Sequence, residues 1–348
     1  MVGKELSMRK VVIHSAGGYE KLKLEEHSTP LIQPGKVKVE VKASGINYAD
    51  ITVRWGLYES AKKFIGWPIT PGFEFSGIVS ETEDDRFKVG DEVFGITLFG
   101  GYSSEIVVPA HQLYHLPKSL NFSQAAGFPA VFMTAYHALF QNIVVRPEMT
   151  VMIHSAAGGV GSSLVQLAHI FGMKVIGVVG SSHKVDIVKS LGADYVIDKS
   201  TEDLWQRAND LCPEGFDVIL DANGVETLGE SYKHLRPTGK LICYGFHTMM
   251  PKTGGRINWF KLIYNWLKTP RFNPLDMTTS NKSVVTFNLS FLFDRMDLLG
   301  EAMDEMLPWL EQGKIKVAKV NEYKVEDVAK AHADLESGKT IGKLVLTF

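Results

Sequence analysis

Apolar and polar residues alternate in short runs along the first third of the chain. Lys36 to Lys42 is one such run, and the pairs Pro34–Gly35 and Pro71–Gly72 separate others. A period of two is typical of strands that bury one face, and Pro–Gly pairs are typical of turns. The pattern therefore predicts a β-rich domain over residues 1–125.

From residue 126 onward, short continuous apolar runs alternate with stretches of helical periodicity. This alternation is typical of an α/β fold with a doubly wound parallel sheet, the Rossmann fold. The pattern becomes β-like again near the end of the chain. We therefore expect residues 312–348 to rejoin residues 1–125, and residues 126–311 to form a dinucleotide-binding domain. The predicted strands are 151–153, 174–179, 195–198, 217–221, 240–244 and 284–289, and predicted helices include 184–191, 201–211 and 298–310.

Residues 125–145 contain no Asp, Glu, Lys or Arg and reach the length of a membrane span. The segment carries Pro129, His137 and Gln141, so we interpret it as a buried helix that bridges two domains and not as an integral membrane span. Residues 1–9 contain no apolar run, which predicts that a secretory signal is absent and that the protein is cytoplasmic.

Composition narrows the class of protein further. Of the 348 residues, 45% are hydrophobic and 22% are charged, the net charge is −2 and the sequence pI is about 6.6. We therefore expect an ordinary globular protein without a basic surface for nucleic acid. The two cysteines, Cys212 and Cys243, are too few for a disulfide framework or a four-cysteine zinc site.

The predicted strand at 151–153 leads directly into a turn of small residues, and a helical stripe of apolar residues follows. Strand, glycine turn and helix is the arrangement that binds a dinucleotide. Gly158 lets the backbone approach the pyrophosphate, and Gly161 lets helix and strand pack closely. Ala156 replaces the first glycine of the usual motif, so a purely structural turn is the alternative. The predicted cofactor-binding residues of the turn are Ala157, Gly158, Gly159, Val160 and Gly161.

The end of the second predicted strand bears on the choice of cofactor. Sites for NAD usually place an acid there to bind the ribose hydroxyl, but residues 178–184 contain none. Ser181 and Lys184 instead offer a hydroxyl and an ammonium group to a 2′-phosphate, which predicts NADPH. In the alternative interpretation Ser182 caps a helix and Lys184 is a solvated helical residue.

Short motifs of one known family occur in order along nearly the whole chain. With these motifs the chain resembles the zinc-independent quinone oxidoreductase branch of the medium-chain dehydrogenase/reductases. The insertion 257–281 and the following 287–293 resemble the subgroup around the vesicle amine transport protein homologues. The resemblance implies a Rossmann domain beside a discontinuous, GroES-like catalytic domain. The motifs are Gly45–Asp50, Pro71–Glu74, Val89–Val93, Ala125–Leu139, His154–Gly161, Leu191–Asp198 and Gly342–Leu346.

The resemblance also identifies the positions at which a catalytic zinc ion would bind. In the zinc-dependent alcohol dehydrogenases of the family three of these positions hold zinc ligands, and here they carry Asn47, Phe73 and Ala130. A catalytic zinc ion needs about three ligands from Cys, His or acidic residues. We therefore expect no metal.

By resemblance, the candidate catalytic residues are Asn47, Asp50 and Thr52. Asn47 would lie near the nicotinamide and offer its amide to a substrate carbonyl. Alternatively, it only caps the short helix that Asp50 continues. Thr52 stands where typical quinone reductases carry a tyrosine, so a hydroxyl contact to the substrate is lost. The sequence identifies no proton donor, and solvent is the expected source.

The resemblance adds cofactor-binding residues outside the glycine turn. Thr134 matches a threonine beside the nicotinamide, with a hydrogen bond to its own helix as the alternative role. Lys343 matches a lysine near the site, with a surface lysine as the alternative. Tyr195 would reach the 2′-phosphate, and Gly245 and Phe246 follow a strand at the carboxyl edge, where ligands bind. The set is Thr134, Tyr195, Asn223, Gly245, Phe246 and Lys343.

Two aromatic clusters stand outside these motifs. The first, between Trp55 and Trp67, would roof a flat apolar substrate or be ordinary packing. The second, 259–267, has helical spacing and is more typical of a core or dimer contact than of a membrane surface. The strand predicted at 284–289 would form a sheet edge. Pairing of this strand with its twin predicts a homodimer, as does the resemblance.

Together these patterns predict a zinc-independent, NADPH-dependent oxidoreductase. It would transfer hydride to a small apolar acceptor, either a quinone or an α,β-unsaturated carbonyl. The alternative is a protein that binds NADPH with little catalysis and acts at a membrane or partner surface, which Thr52 and the 257–267 segment favour. A zinc-dependent alcohol dehydrogenase is the third possibility.

Overall fold

The computed structural model describes residues 7–249, 257–317 and 319–348. They group into two compact units, which we describe separately. The first contains the chain up to Ala130 together with Lys319–Phe348, and the second contains the chain from Val131 and the segment that begins at Ile257. Residues 126–130 thus belong to the first unit, although we expected them in the dinucleotide-binding domain. Residues 312–317 belong to the second unit, although we expected them to rejoin residues 1–125.

Strands and helices follow the predicted order. Strands β1–β15 are Ser7–Val12, Lys23–Ser28, Lys36–Ile46, Glu74–Thr82, Glu92–Ile96, Glu105–Pro109, Leu113–His115, Thr150–Ile153, Lys174–Val179, Tyr195–Asp198, Phe216–Asp221, Leu235–Cys243, Ser283–Thr286, Val320–Lys324 and Lys343–Thr347. Helices α1–α12 are Tyr48–Arg54, Glu59–Phe64, Phe122–Ala126, Pro129–Tyr136, Gly159–Ile170, Val185–Ser190, Leu204–Leu211, Leu228–Lys233, Trp259–Lys268, Pro274–Ser280, Met296–Glu311 and Val328–Glu336.

The first unit is built on a seven-stranded sheet with the order β14-β15-β3-β4-β5-β7, in which β6 also pairs with β3. The alternation predicted for Lys36–Lys42 is confirmed, because Val37, Val39 and Val41 are buried and pack with the sheet core. The last strand, β15, runs antiparallel to β3, with Leu344 opposite Ile46. The C-terminal segment therefore completes the β-rich, GroES-like unit.

The second unit is a six-stranded, fully parallel sheet with the order β10-β9-β8-β11-β12-β13. Counted from β8, this is the order 3-2-1-4-5-6 of the doubly wound Rossmann fold, so the predicted α/β class is confirmed. Central strands are buried on both faces, as Val151, Met152 and Ile153 illustrate. The sixth strand is Ser283–Thr286, shorter than the predicted 284–289, and it lies at a sheet edge.

The continuous helix predicted over residues 125–145 is wrong. Helix α3 ends at Ala126, and α4 runs from Pro129 to Tyr136. Residues 137–141 then form a turn of π-helix. The break has a local cause, because proline lacks the N–H that a helix interior needs and is favoured at the first helical position. Among the residues that the structure describes, no helix is long and apolar enough to cross a membrane.

A buried ion pair joins α1 to α12 in the first unit. Arg54 contacts Glu336 through Nη2 and Oε1, with side-chain exposures of 0% and 1%. Tyr19 donates a hydrogen bond to Glu336 Oε2 (2.7 Å), and its ring lies 4.5 Å from the Arg54 guanidinium carbon. The pair is charge-matched, so removing one partner leaves an uncompensated charge in the core.

We predict that Glu336→Ala lowers the free energy of unfolding by about 3–5 kcal/mol, the usual cost of breaking a buried pair. The matched control is Glu326→Ala, whose pair with Arg9 is exposed (52% for Glu326). Exposed pairs contribute about 0–1 kcal/mol. Urea denaturation of both variants measures the difference, and equal losses would contradict a special role for the buried pair.

Candidate functional site

The turn between β3 and α1 holds Asn47 in a defined orientation. The pairing of β15 with β3 brings Lys343 beside this turn. Lys343 Nζ donates to Asn47 Oδ1 (2.5 Å), and Asn47 Nδ2 donates to Glu74 Oε1 (2.9 Å). Both ends of the amide are therefore engaged, while Asn47 stays partly exposed.

Glu74 is the group that completes this arrangement. It is fully buried, and its Oε1 lies 2.6 Å from Lys343 Nζ. Its Oε2 accepts a hydrogen bond from the backbone N–H of Ala130 (2.7 Å). A Cβ at Gly45 would lie 2.3 Å from Oε1, so glycine is needed there. We name Asn47, Glu74 and Lys343 the amide clamp.

The amide clamp bears on two of the alternatives. Lys343 is 4% exposed, so its interpretation as a surface lysine is wrong. Asn47 is the N-cap residue of α1, and Asp50 accepts its backbone N–H (2.8 Å) as in a capping box, while the Asn47 amide also contacts Glu74 and Lys343. One N–H of the Asn47 amide has no acceptor among residues 7–249, 257–317 and 319–348. That N–H keeps its capacity to donate a hydrogen bond to a ligand.

Asp50 is buried and fully engaged. Its Oδ1 accepts from the N–H of Gly72 (2.8 Å), and its Oδ2 accepts from the hydroxyl of Tyr102 (3.1 Å). Burial raises the pKa of Asp50 to about 6, against the opposing effect of hydrogen bonds from Asn47 and Gly72. These contacts favour a structural role for Asp50, which ties the start of α1 to Gly72 and Tyr102, over the catalytic role that we predicted for it.

Thr52 bonds within its own helix, and the first aromatic cluster lies partly in the core and partly at the surface. The hydroxyl of Thr52 donates to the carbonyl of Tyr48 in the same helix (3.2 Å). Trp55 is fully buried, which makes it a core residue. Ile65 and Trp67 are 52% and 43% exposed, so only the distal part of the cluster is available to a flat substrate.

In the second unit, the glycine turn joins β8 to α5. Ser155 adopts a left-handed conformation (φ 54°), and Gly158 forms the N-cap of α5. A Cβ at Gly161 would lie 2.2 Å from the Ser155 carbonyl oxygen, so helix and turn pack as closely as the motif requires. Gly158, Gly159 and Val160 are partly exposed at the helix N-terminus, where unpaired N–H groups and the helix dipole favour an anion.

Asp221 organises the neighbouring strand end, and sequence reasoning missed it. Its Oδ1 accepts from the backbone N–H groups of Asn223 (2.8 Å) and Gly224 (3.1 Å), and its Oδ2 accepts from the Thr227 hydroxyl (2.7 Å). Asn223 Oδ1 in turn accepts from the Ser155 hydroxyl (2.9 Å). Asp221 thereby ties the fourth strand of the sheet to the glycine turn. An aspartate followed by Asn and Gly after a strand was the available signal.

Gly245 and Phe246 lie at the same carboxyl edge of the sheet. A Cβ at Gly245 would approach the carbonyl oxygen of Ala222 to 2.9 Å, which explains the glycine. Phe246 is 41% exposed. Thr134, in α4, is partly exposed, whereas its neighbours from 131 to 133 and from 135 to 139 are buried. The structure leaves the ligand-binding roles of these residues as predictions.

The residues predicted to read the 2′-phosphate follow β9 and begin β10. Lys184 is 9% exposed, and burial lowers its pKa, so it is not the solvated lysine of the alternative interpretation. Ser182 is not a side-chain cap, because its hydroxyl donates to Asp198 Oδ2 (2.5 Å). Hydrogen bonds from Ser182 and Ser200 lower the pKa of Asp198. Asp198 was not among the residues that we predicted for this site. Tyr195 is 42% exposed.

No group of three or more His, Cys, Asp or Glu side chains able to hold a metal ion occurs in the described part of the chain. Asn47 and Phe73 lie where the resemblance expects zinc ligands. Neither side chain is a zinc ligand of the usual kind.

Residues 33–118 match the alcohol dehydrogenase GroES-like domain, and residues 191–346 match the domain described as zinc-binding dehydrogenase. The synaptic vesicle membrane protein VAT-1 homolog of Danio rerio is 33% identical over 97% of this chain and 70% of its own length. The chain belongs to the medium-chain dehydrogenase/reductase family.

Two further members of the family place the chain near the quinone oxidoreductases. The quinone oxidoreductase of Mus musculus is 31% identical, with 97% of both chains covered. The Escherichia coli quinone oxidoreductase, solved with NADPH, superposes with a TM-score of 0.84 at 28% identity, over 98% of this chain and 100% of that one. The predicted proximity to the quinone oxidoreductases within the medium-chain dehydrogenase/reductases is therefore confirmed.

The raised pKa of Asp50 gives a pH dependence of stability. Between its unfolded pKa of about 3.9 and its folded pKa of about 6, the folded state binds the proton more tightly. The contribution of Asp50 to stability therefore falls as pH rises through this window, by about 2–3 kcal/mol at 1.4 kcal/mol per pH unit.

We predict that the stability advantage of the wild type over Asp50→Asn shrinks by that amount from pH 4 to pH 7, because asparagine does not titrate. Urea denaturation at a series of pH values measures the gap, with exposed Asp85→Asn as the control. A gap that stays constant or widens with pH would refute the assignment.

Proposed function

We propose that the protein is a zinc-independent reductase that uses NADPH to reduce a quinone or an α,β-unsaturated carbonyl. The observation that carries the proposal is the amide clamp, which holds a neutral hydrogen-bond donor where zinc-dependent relatives hold a metal ligand. Membership of the family and similarity to quinone oxidoreductases support the same activity. NADPH, when bound, supplies the hydride.

The second unit supplies a binding surface that fits a dinucleotide phosphate. The N-terminus of α5, preceded by Gly158, offers N–H groups to a pyrophosphate. Asp221 holds Asn223 beside Ser155 and so shapes the rim of this surface. Ser181, Lys184 and Tyr195 are the groups proposed to bind the 2′-phosphate.

Asn47 is the residue proposed to contact the substrate. As hydride reaches a quinone or an enone, negative charge develops on the carbonyl oxygen. The second N–H of the Asn47 amide can donate to that oxygen. Lys343 and Glu74 act as positioning residues, because they engage the carbonyl and one N–H of the amide and leave its second N–H for a ligand. Such preorganised donors lower the barrier because they need no reorientation during the reaction. Solvent supplies the proton.

A turnover screen tests this function. We predict that the wild type oxidises NADPH with quinones or enals, and that Asn47→Ala lowers kcat/KM by about 10- to 100-fold, somewhat below the loss of a full oxyanion donor. Ser80→Ala is the control, since this exposed hydroxyl of the same unit bonds only to the carbonyl of Lys38 among the described residues. Tight NADPH binding with negligible oxidation across the panel would favour the binding-protein alternative instead.

The cofactor preference has its own test. A charge-assisted hydrogen bond contributes about 1.5–3 kcal/mol, so Lys184→Ala should weaken NADPH binding by about one to two decades and leave NADH nearly unchanged. The control is Lys189→Ala, at an exposed lysine of helix α6, which begins directly after Lys184. Titration of both cofactors by fluorescence measures this. Equal wild-type affinities, or equal losses, would remove the phosphate role of Lys184.

We further propose a homodimer formed through the second unit. Strand β13 is an edge strand with an exposed row of backbone groups, and pairing it with its twin about a two-fold axis would cover them. Light scattering at micromolar concentration should give twice the mass of 38.6 kDa. A monomer mass at that concentration would count against the dimer.

A further inference from the structure

Helix α9 presents a row of large apolar side chains to solvent. Phe260 is 88% exposed, Trp266 and Leu267 are each 62% exposed, and Trp259 is 59% exposed. The buried residue of the helix is instead the polar Asn265, whose amide donates to the carbonyl of Thr248 (3.4 Å). Of the two contacts that we expected for this helix, core or dimer, the core contact is therefore wrong, and an aromatic face of this size calls for a partner.

Helix α9 and the residues next to it in the sequence carry charge of one sign. Residues 257–275 contain Lys261, Lys268 and Arg271 but no Asp or Glu, in a chain whose net charge is −2. Lys261, Lys268 and Arg271 are exposed and form no ion pair with the described residues. Lys268 Nζ lies 4.6 Å from the ring centre of Tyr264, so cation and aromatic groups share one surface. We call this surface, residues 259–271, the aromatic-basic face.

We propose that the aromatic-basic face docks on an anionic lipid bilayer. Trp, Tyr and Phe side chains are favoured at the headgroup level, and lysines extend to anionic headgroups while their stems stay apolar. At 10 residues the helix is far too short to span a bilayer, so it would lie in the interface plane.

A second copy of the chain fits this face less well. A two-fold contact would bring Lys261, Lys268 and Arg271 of both copies into one acid-free interface, where like charges repel. The positive charge of the aromatic-basic face is complementary to an anionic surface. The proposal is independent of hydride transfer, since it places no residue of the aromatic-basic face in the reaction.

Vesicle flotation tests the proposal. The full chain is mixed with vesicles of phosphatidylcholine alone or with added phosphatidylserine, at low and high salt. The first variant is Trp259→Ser with Phe260→Ser, and the second is Lys261→Glu with Lys268→Glu. Val144→Ser, at a 75% exposed apolar residue elsewhere in the same unit, is the matched control. Urea denaturation verifies that each variant is folded.

Wild type and Val144→Ser should float only with phosphatidylserine vesicles, less at high salt. Each lysine lost should weaken binding roughly fivefold, and the double reversal more than tenfold. The aromatic variant should lose binding at all salt concentrations. The proposal is overturned if the wild type fails to bind anionic vesicles at low salt, or if both variants bind like the wild type. It is also overturned if the aromatic variant changes only the mass in light scattering, because a second copy would then cover the face.

Discussion

The buried ion pair between Glu74 and Lys343 fixes the turn that carries Asn47. A carboxylate and an ammonium group without access to water are tolerated only when they are paired and hydrogen-bonded, and here Asn47 and the Ala130 N–H complete the set. The pair can form only because β15 returns beside β3. The discontinuity of the first unit is therefore a condition for holding the Asn47 amide in place.

The second unit uses the same device with a different carboxylate. Asp221, fully buried, is satisfied by two backbone N–H groups and two hydroxyls, and through Asn223 it holds the glycine turn. In both units a buried acid fixes a turn: Glu74 accepts from the Asn47 amide, and Asp221 accepts from the backbone N–H of Asn223. The candidate residues Asn47 and Asn223 therefore lie on turns, while the acids that support them lie in strands.

Periodicity predicted the Rossmann unit well, because buried parallel strands and helices have distinct patterns over short windows. It failed where the deciding contact is remote: Lys343 and Asn47 are 296 residues apart, so no local pattern could show that Lys343 is buried. For α9 the helical spacing was right and the environment wrong, since a pattern shows which residues share a face and not what covers it. Pro129 is the local signal for the break in the predicted 125–145 helix, because proline does not fit a helix interior.

In the proposed function, hydride passes directly from NADPH to an organic acceptor without a metal ion. The measurement that tests this step is a single turnover of chelator-treated protein with NADPH deuterated at the transferred C4 position and an α,β-unsaturated carbonyl, followed by mass spectrometry of the product. We expect one deuterium on the β-carbon of the reduced product. Unlabelled product, or activity that appears only when zinc is restored, would contradict it.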